Sequence, residues 1–254
     1  KAGITPAMVD TGAVLVTGET AKKHNAAEIV NRLSSESGKF VSAAAGPNLE
    51  SMLSAMGSGI IDQSLRTDKT ILHVDIGGGT SNMAIVSNGQ VLSTSCMNVG
   101  GRLLGIDDSF KIWRIDGPTR FLMKHLGMNY AIGDIITKED VKTIAREYAK
   151  ALVEVMNGPA KSIVAKELMM TDNLDFSIPV DAYSFSGGVA ELYYGSKKGY
   201  DDIGNILSEE IRLQVEKKGM NIIESGQADI AHGSRKMPES IIVRSHPLMR
   251  RIIS

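Results

Sequence analysis

The run Asp75-Ile76-Gly77-Gly78-Gly79-Thr80-Ser81 constrains this chain more than any other feature. An apolar stretch over residues 71–75 leads into it, and a second apolar stretch over residues 83–86 follows at once. The glycine turn therefore joins strand to strand. Phosphate loops that use a helix N-terminus need a strand-to-helix turn, and one common type also needs Gly-Lys-Ser or Gly-Lys-Thr. Neither condition is met here. Asn88-Gly89 then signals a tight hairpin into a third strand over residues 91–95. Strand, glycine turn, strand, tight turn, strand is the opening of a ribonuclease-H-like unit.

Glycines without a Cβ can adopt positive φ and let backbone N–H groups converge on an anion, so the turn reads as a phosphate seat formed by Gly77, Gly78, Gly79 and Thr80, with hydroxyls from Thr80 and Ser81. Asp75 would repel a bare phosphate. Its place beside the turn makes sense if a divalent cation sits between them, held directly or through water. A second glycine pair closes the apolar stretch 180–185 in Ser186-Gly187-Gly188-Val189-Ala190-Glu191, at a strand-to-helix corner where a base and ribose could lie against backbone. The alternatives are a structural hairpin and ordinary tight packing. Two such turns separated by a helical region favour a nucleotide.

The remaining pattern alternates strand and helix. Strands are expected at 13–17 and 40–43, with a helix from residue 20. Asn48 is expected to cap a helix whose apolar stripe is Leu49, Met52, Leu53 and Met56, and residues 65–69 read as a hinge or domain boundary. Residues 102–129 carry a strand around Ile112 and a short helix near Phe121. Thr137-Lys138-Glu139-Asp140 resembles a capping box for a helix with Val141, Ile144, Ala145, Tyr148, Leu152 and Val155 on one face, stopped by Gly158-Pro159. Further helices are expected at 160–169 and 209–217.

Among 254 residues, 28 Lys and Arg balance 29 Asp and Glu, which gives no field to attract nucleic acid or an anionic membrane. No apolar run is long enough to span a bilayer, the 43% hydrophobic fraction fits a soluble globular protein, and a lone cysteine fits a reducing, cytoplasmic setting. Cys96 is the single cysteine, expected as a buried thiol, and no His or Cys cluster has structural-metal spacing. His73 reads as a hydrogen-bonded core residue, and the methionines, including Met52, Met56 and Met169-Met170, as core filling.

Taken jointly, Val16-Thr17-Gly18-Glu19-Thr20-Ala21-Lys22-Lys23, Ala45-Gly46-Pro47-Asn48-Leu49-Glu50-Ser51, the Asp75 to Asn82 run, Val99-Gly100-Gly101-Arg102 and the Ser186 to Glu191 run resemble the EutA family, the reactivating factors of ethanolamine ammonia-lyase. The similarity reaches from near the N-terminus to about Glu224. It implies an actin-like (ASKHA) ATPase fold, α/β with a mixed sheet and helices on both faces. It also implies use of ATP or ADP with magnesium to exchange damaged cobalamin for intact adenosylcobalamin on ethanolamine ammonia-lyase, in a cytoplasm that can hold a bacterial microcompartment.

By that resemblance Asp75 lies near the metal, Gly77, Gly78, Gly79, Thr80 and Ser81 surround terminal phosphates, Gly187, Gly188 and Val189 match the adenosine motif, and Glu50 is a candidate for positioning the hydrolytic water. The superfamily's first phosphate hairpin, Asp-x-Gly-Thr/Ser, is not found before Val14. An incomplete two-domain molecule is expected: residues 1–66 from the first actin-like domain, 67–226 the second, and 227–254 unassigned. ATPase activity is expected of the intact family member. A small-molecule kinase of the same fold and a non-catalytic actin-like scaffold, assembling as a homo-oligomer, are the alternatives.

Overall fold

The computed structural model describes the backbone of residues 12–16 and 40–44, and in full residues 46–196 and 199–223. The helix expected from residue 20 and the segment 227–254 lie outside the described residues. Strands β1 (Gly12–Val16) and β2 (Phe40–Ala44) pair in parallel. Helix α1 (Pro47–Gly57) and helix α2 (Ile60–Thr67) follow.

The central sheet is built from β3 (Ile71–Ile76), β4 (Ser81–Ser87), β5 (Gln90–Met97) and β8 (Ala182–Ser186), in the order β5-β4-β3-β8. The first three strands are an antiparallel meander, and β8 joins β3 in parallel. Asn88 at φ 48° and Gly89 at φ 74° form the tight turn between β4 and β5, as both central positions of such a hairpin require. A parallel neighbour needs a crossover, supplied here by residues 98–181. That crossover holds a small sheet of β6 (Leu104–Ile106) and β7 (Ile112–Ile115), then α3 (Gly117–His125), α4 (Lys138–Met156) and α5 (Ile163–Leu168). After β8 come α6 (Gly188–Tyr193) and α7 (Gly204–Lys217).

Helix α4 starts where Thr137 accepts a hydrogen bond from the Asp140 N–H, and Asn157 closes it by donating to the Val153 carbonyl. Its apolar stripe packs on α7. Because side chains alternate along a strand, Leu72, Val74, Ile76, Met83 and Ile85 enter the main core with Tyr148, Leu152, Leu207 and Ile211. Ile71, Ala84 and Val86 face the other way and meet Ala55 of α1 and Ile60 of α2. Helices therefore cover both faces of a mixed sheet.

Three expectations need correction. Asn48 does not cap α1: Gly46 holds that position without a side-chain bond. Nor does the stripe of α1 point inward. Leu49, Met52 and Met56 are 47%, 41% and 58% exposed, while Ser51 and Ala55 face the sheet. Ser51 is drawn in because its hydroxyl donates to the Ser95 carbonyl of β5 at 2.9 Å, and small residues let the helix sit close. Finally, the hinge expected at 65–69 is mostly helix, since α2 runs to Thr67 and the chain turns at Asp68 with φ 52°. Among the described residues, no helix is long and apolar enough to cross a membrane.

Candidate functional site

Asp75 and Ser186 are register partners at the carboxyl ends of the parallel strands β3 and β8, the edge where open α/β sheets place ligands. Between β3 and β4 the glycine turn is held from outside. The amide of Gly101 donates to the Gly77 carbonyl at 3.2 Å, and the amide of Arg102 donates to the Gly78 carbonyl at 2.7 Å. In a planar trans peptide the N–H points opposite to the C=O. With both carbonyls turned toward residues 100–102, the N–H groups of Gly78 and Gly79 are turned away from them. The amides of Gly78, Gly79 and Thr80 find no acceptor among the described residues, whereas Gly77 N–H is used by the Thr80 carbonyl at 2.9 Å. Consecutive unpaired amides at a sheet edge are a concave donor set suited to an anion.

The glycines earn their places differently from what the sequence suggests. None of Gly77, Gly78 and Gly79 has a positive φ. Crowding explains them better: a Cβ on Gly78 would meet Arg102 Cβ at 3.3 Å, and one on Gly100 would lie 2.5 Å from the Gly78 carbonyl carbon and oxygen. Gly187 is the left-handed one, at φ 90°, and a Cβ there would fall 2.4 Å from Asp75 Oδ1 and 2.5 Å from the Ile76 carbonyl. The second glycine corner thus rests directly on the acid that precedes the first turn.

Asp75 Oδ1 accepts from Ser186 Oγ at 3.0 Å. Burial pushes its carboxyl above the usual carboxylate range, and that hydrogen bond pulls it part of the way back. A nearby cation would favour the charged form. His73, fully buried, contacts Ser186 Oγ through Nε2 at 3.0 Å and Ser184 Oγ through Nδ1 at 3.3 Å. Burial lowers its pKa to about 4, so the ring is neutral near pH 7. It is the hydrogen-bonded core histidine the sequence suggests, two places from the acid.

Thr80 Oγ1 accepts from Asn82 Nδ2 at 3.4 Å and keeps its own proton to donate. Ser81 does not: its hydroxyl donates to the Val99 carbonyl at 2.8 Å, so the donor expected there is already used. Val189 is buried in the main core, leaving its backbone rather than its side chain at the corner. A Cβ on Gly188 would meet nothing within 4 Å, so that face is open. Glu50 is half-buried on α1 beside Ser51, whose hydroxyl lies 3.4 Å from Asn82 Oδ1. Cys96 is buried. Among the described residues no group of His, Cys, Asp and Glu converges as a metal cage. A magnesium ion would need phosphate and water to complete its shell here.

Sequence reasoning assigned no site role to Ser186, His73, Gly100 or Arg102, although three of them stand in its motifs and His73 reads there as a hydrogen-bonded core residue. The signal for the first two was the strand period, which places His73 with Asp75 and Ser184 with Ser186 on one face. Arg102 lies by the turn, 46% exposed, its Nε 3.7 Å from Asp202.

The sheet order and the glycine turn define the class: an α/β protein with the actin-like, ribonuclease-H-like arrangement of three antiparallel strands and a parallel fourth. The profile of the ethanolamine utilisation protein EutA family matches residues 1–232, and the chain belongs to that family. It is similar to the ethanolamine ammonia-lyase reactivase EutA of Salmonella typhimurium, 36% identical over 224 residues, which is 87% of this chain and 48% of that protein. The Escherichia coli protein of the same name is 34% identical over the same shares. The chain spans about half the length of these curated relatives. A solved Ppx/GppA family member from Aquifex aeolicus is similar at 14% identity and a TM-score of 0.46, covering 87% of this chain and 74% of that one.

Proposed function

We propose that this chain forms the second-domain part of an ATP-dependent reactivating factor for ethanolamine ammonia-lyase, promoting exchange of damaged cobalamin for intact adenosylcobalamin. Family membership supports the reaction, and one observation supports the chemistry: unpaired amides of Gly78, Gly79 and Thr80 beside the buried acid Asp75. The amides would hold the terminal phosphates of ATP or ADP. Asp75 would hold magnesium through water, and the backbone of Gly187 to Val189 would lie beside the adenosine. Nucleotide state would bias a two-state cleft of the factor, since a ligand moves an equilibrium only by its differential affinity for the two forms. Glu50, one residue from the Ser51 anchor, would orient the attacking water. Residues 1–66 would contribute to the first actin-like domain, 67–226 would form the second, and the protein would work in the cytoplasm, in contact with a microcompartment.

Isothermal titration of ATP and ADP into the intact product of the reading frame, with and without magnesium, tests the reading. Magnesium-dependent binding that disappears in Asp75→Asn is expected, together with restored turnover of inactivated lyase by the wild type. Absence of adenine-nucleotide binding would sink the proposal. Nucleotide-triggered light scattering without reactivation would favour a scaffold instead.

A further inference from the structure

We infer that His73 and Ser186 are positioning residues for Asp75: a one-way hydrogen-bond chain from Ser184 through His73 and Ser186 fixes Oδ1 and leaves Oδ2 to meet the hydrated cation. This rests on the nucleotide and magnesium reading above. The parallel register of β3 and β8 pairs His73 with Ser184 and Asp75 with Ser186, so the four side chains share one face of the sheet. Three contacts join them, at 3.3, 3.0 and 3.0 Å, and both His73 and Ser184 are fully buried.

A hydroxyl has one proton to give. An ionised Asp75 can only accept, so Ser186 Oγ–H must point at Oδ1 and cannot also serve His73. His73 must therefore carry its proton on Nε2 and donate it to Ser186 Oγ, which leaves Nδ1 to accept from Ser184 O–H. Every direction in the chain then follows from the charge on Asp75. Gly187 closes over the same oxygen, since a Cβ there would collide with Oδ1. Oδ2 takes no hydrogen bond from any described residue. An outer partner that fixes the orientation of a metal-facing group is commonly worth 10- to 100-fold in metal affinity.

Selective ¹⁵N labelling of the 5 histidines, with His73 assigned by its loss in His73→Phe, reads the tautomer directly. An Nε2–H signal is expected, and an Nδ1–H signal overturns the chain whether or not nucleotide binds. In the second arm, Ser186→Ala and His73→Phe should raise the magnesium concentration for half-maximal ADP retention by about tenfold. Nucleotide affinity in EDTA should fall far less than affinity with magnesium, and Ser186→Thr should restore the wild-type value. Equal losses with and without magnesium would show a merely structural role and overturn the inference. Should His73→Phe fail to fold, His73→Gln, whose amide can donate to Ser186, replaces it and is expected to stay near wild type. A wild-type protein that binds no nucleotide overturns the functional reading and the magnesium role with it, while the tautomer reports separately on the hydrogen bonds.

Discussion

The two faces of the central sheet are made by the same strands and differ in almost everything else. Toward α4 and α7 the sheet presents Leu72, Val74, Ile76, Met83, Ile85 and Phe185, which join one large apolar core. Toward α1 and α2 it presents a small apolar cluster at one end, Ile71, Ala84 and Val86. At the other end of that face stand His73, Asp75, Ser184 and Ser186, linked by hydrogen bonds, with Asn82 as the register partner of Asp75. The contrast teaches a division of labour. One face supplies non-directional burial, and the other holds directional polar groups that burial alone could not place.

The largest effect expected from breaking this contrast is on the apolar face. Phe185→Ala should cost about 3–5 kcal/mol of stability, read by chemical denaturation, through lost burial and the cavity left behind. Next comes Gly187→Ala on the polar face. Its φ of 90° alone should cost about 1–3 kcal/mol, and the Cβ must displace Asp75, so magnesium-nucleotide binding should vanish while the protein still folds. If instead binding survives in Gly187→Ala, the two glycine corners are not one site.

Smaller still is Tyr148→Phe. Thr119 Oγ1 donates to the Leu103 carbonyl and so accepts from the Tyr148 hydroxyl at 2.8 Å, and removing that bond should cost about 1 kcal/mol in the melting transition without touching nucleotide binding. Met56→Glu sharpens the comparison from outside the sheet. With Met56 58% exposed, stability should stay within about 0.5 kcal/mol of wild type, and a loss of several kcal/mol would mean that the stripe of α1 is buried after all.

Local signals carried most of the fold into the sequence. Asn88-Gly89 announced its hairpin, Thr137 its helix, and the alternation around Asp75 its strands, because each is decided by neighbours a few residues away. What stayed hidden depends on partners far along the chain. Ser186 reaches Asp75 across 111 positions, and Ser51 reaches Ser95 across 44. The inward turn of α1 could not be read from its apolar stripe, since the polar bond of Ser51 and the small Ala55 outweigh it. The glycine turn was found for a reason that fails in detail: its residues answer to the crossing of Gly100 and Arg102, not to left-handed backbone.

That crossing continues further. Gly101 approaches Gly204 so closely that a Cβ on Gly101 would stand 3.0 Å from the Gly204 Cα, and the Ile203 amide donates to the Gly101 carbonyl at 3.1 Å. Main chain meets main chain there, with no rotamer to absorb a displacement. A slide of α7 along its axis would be delivered, like a rod against a latch, to the peptides that grip the Gly77 and Gly78 carbonyls.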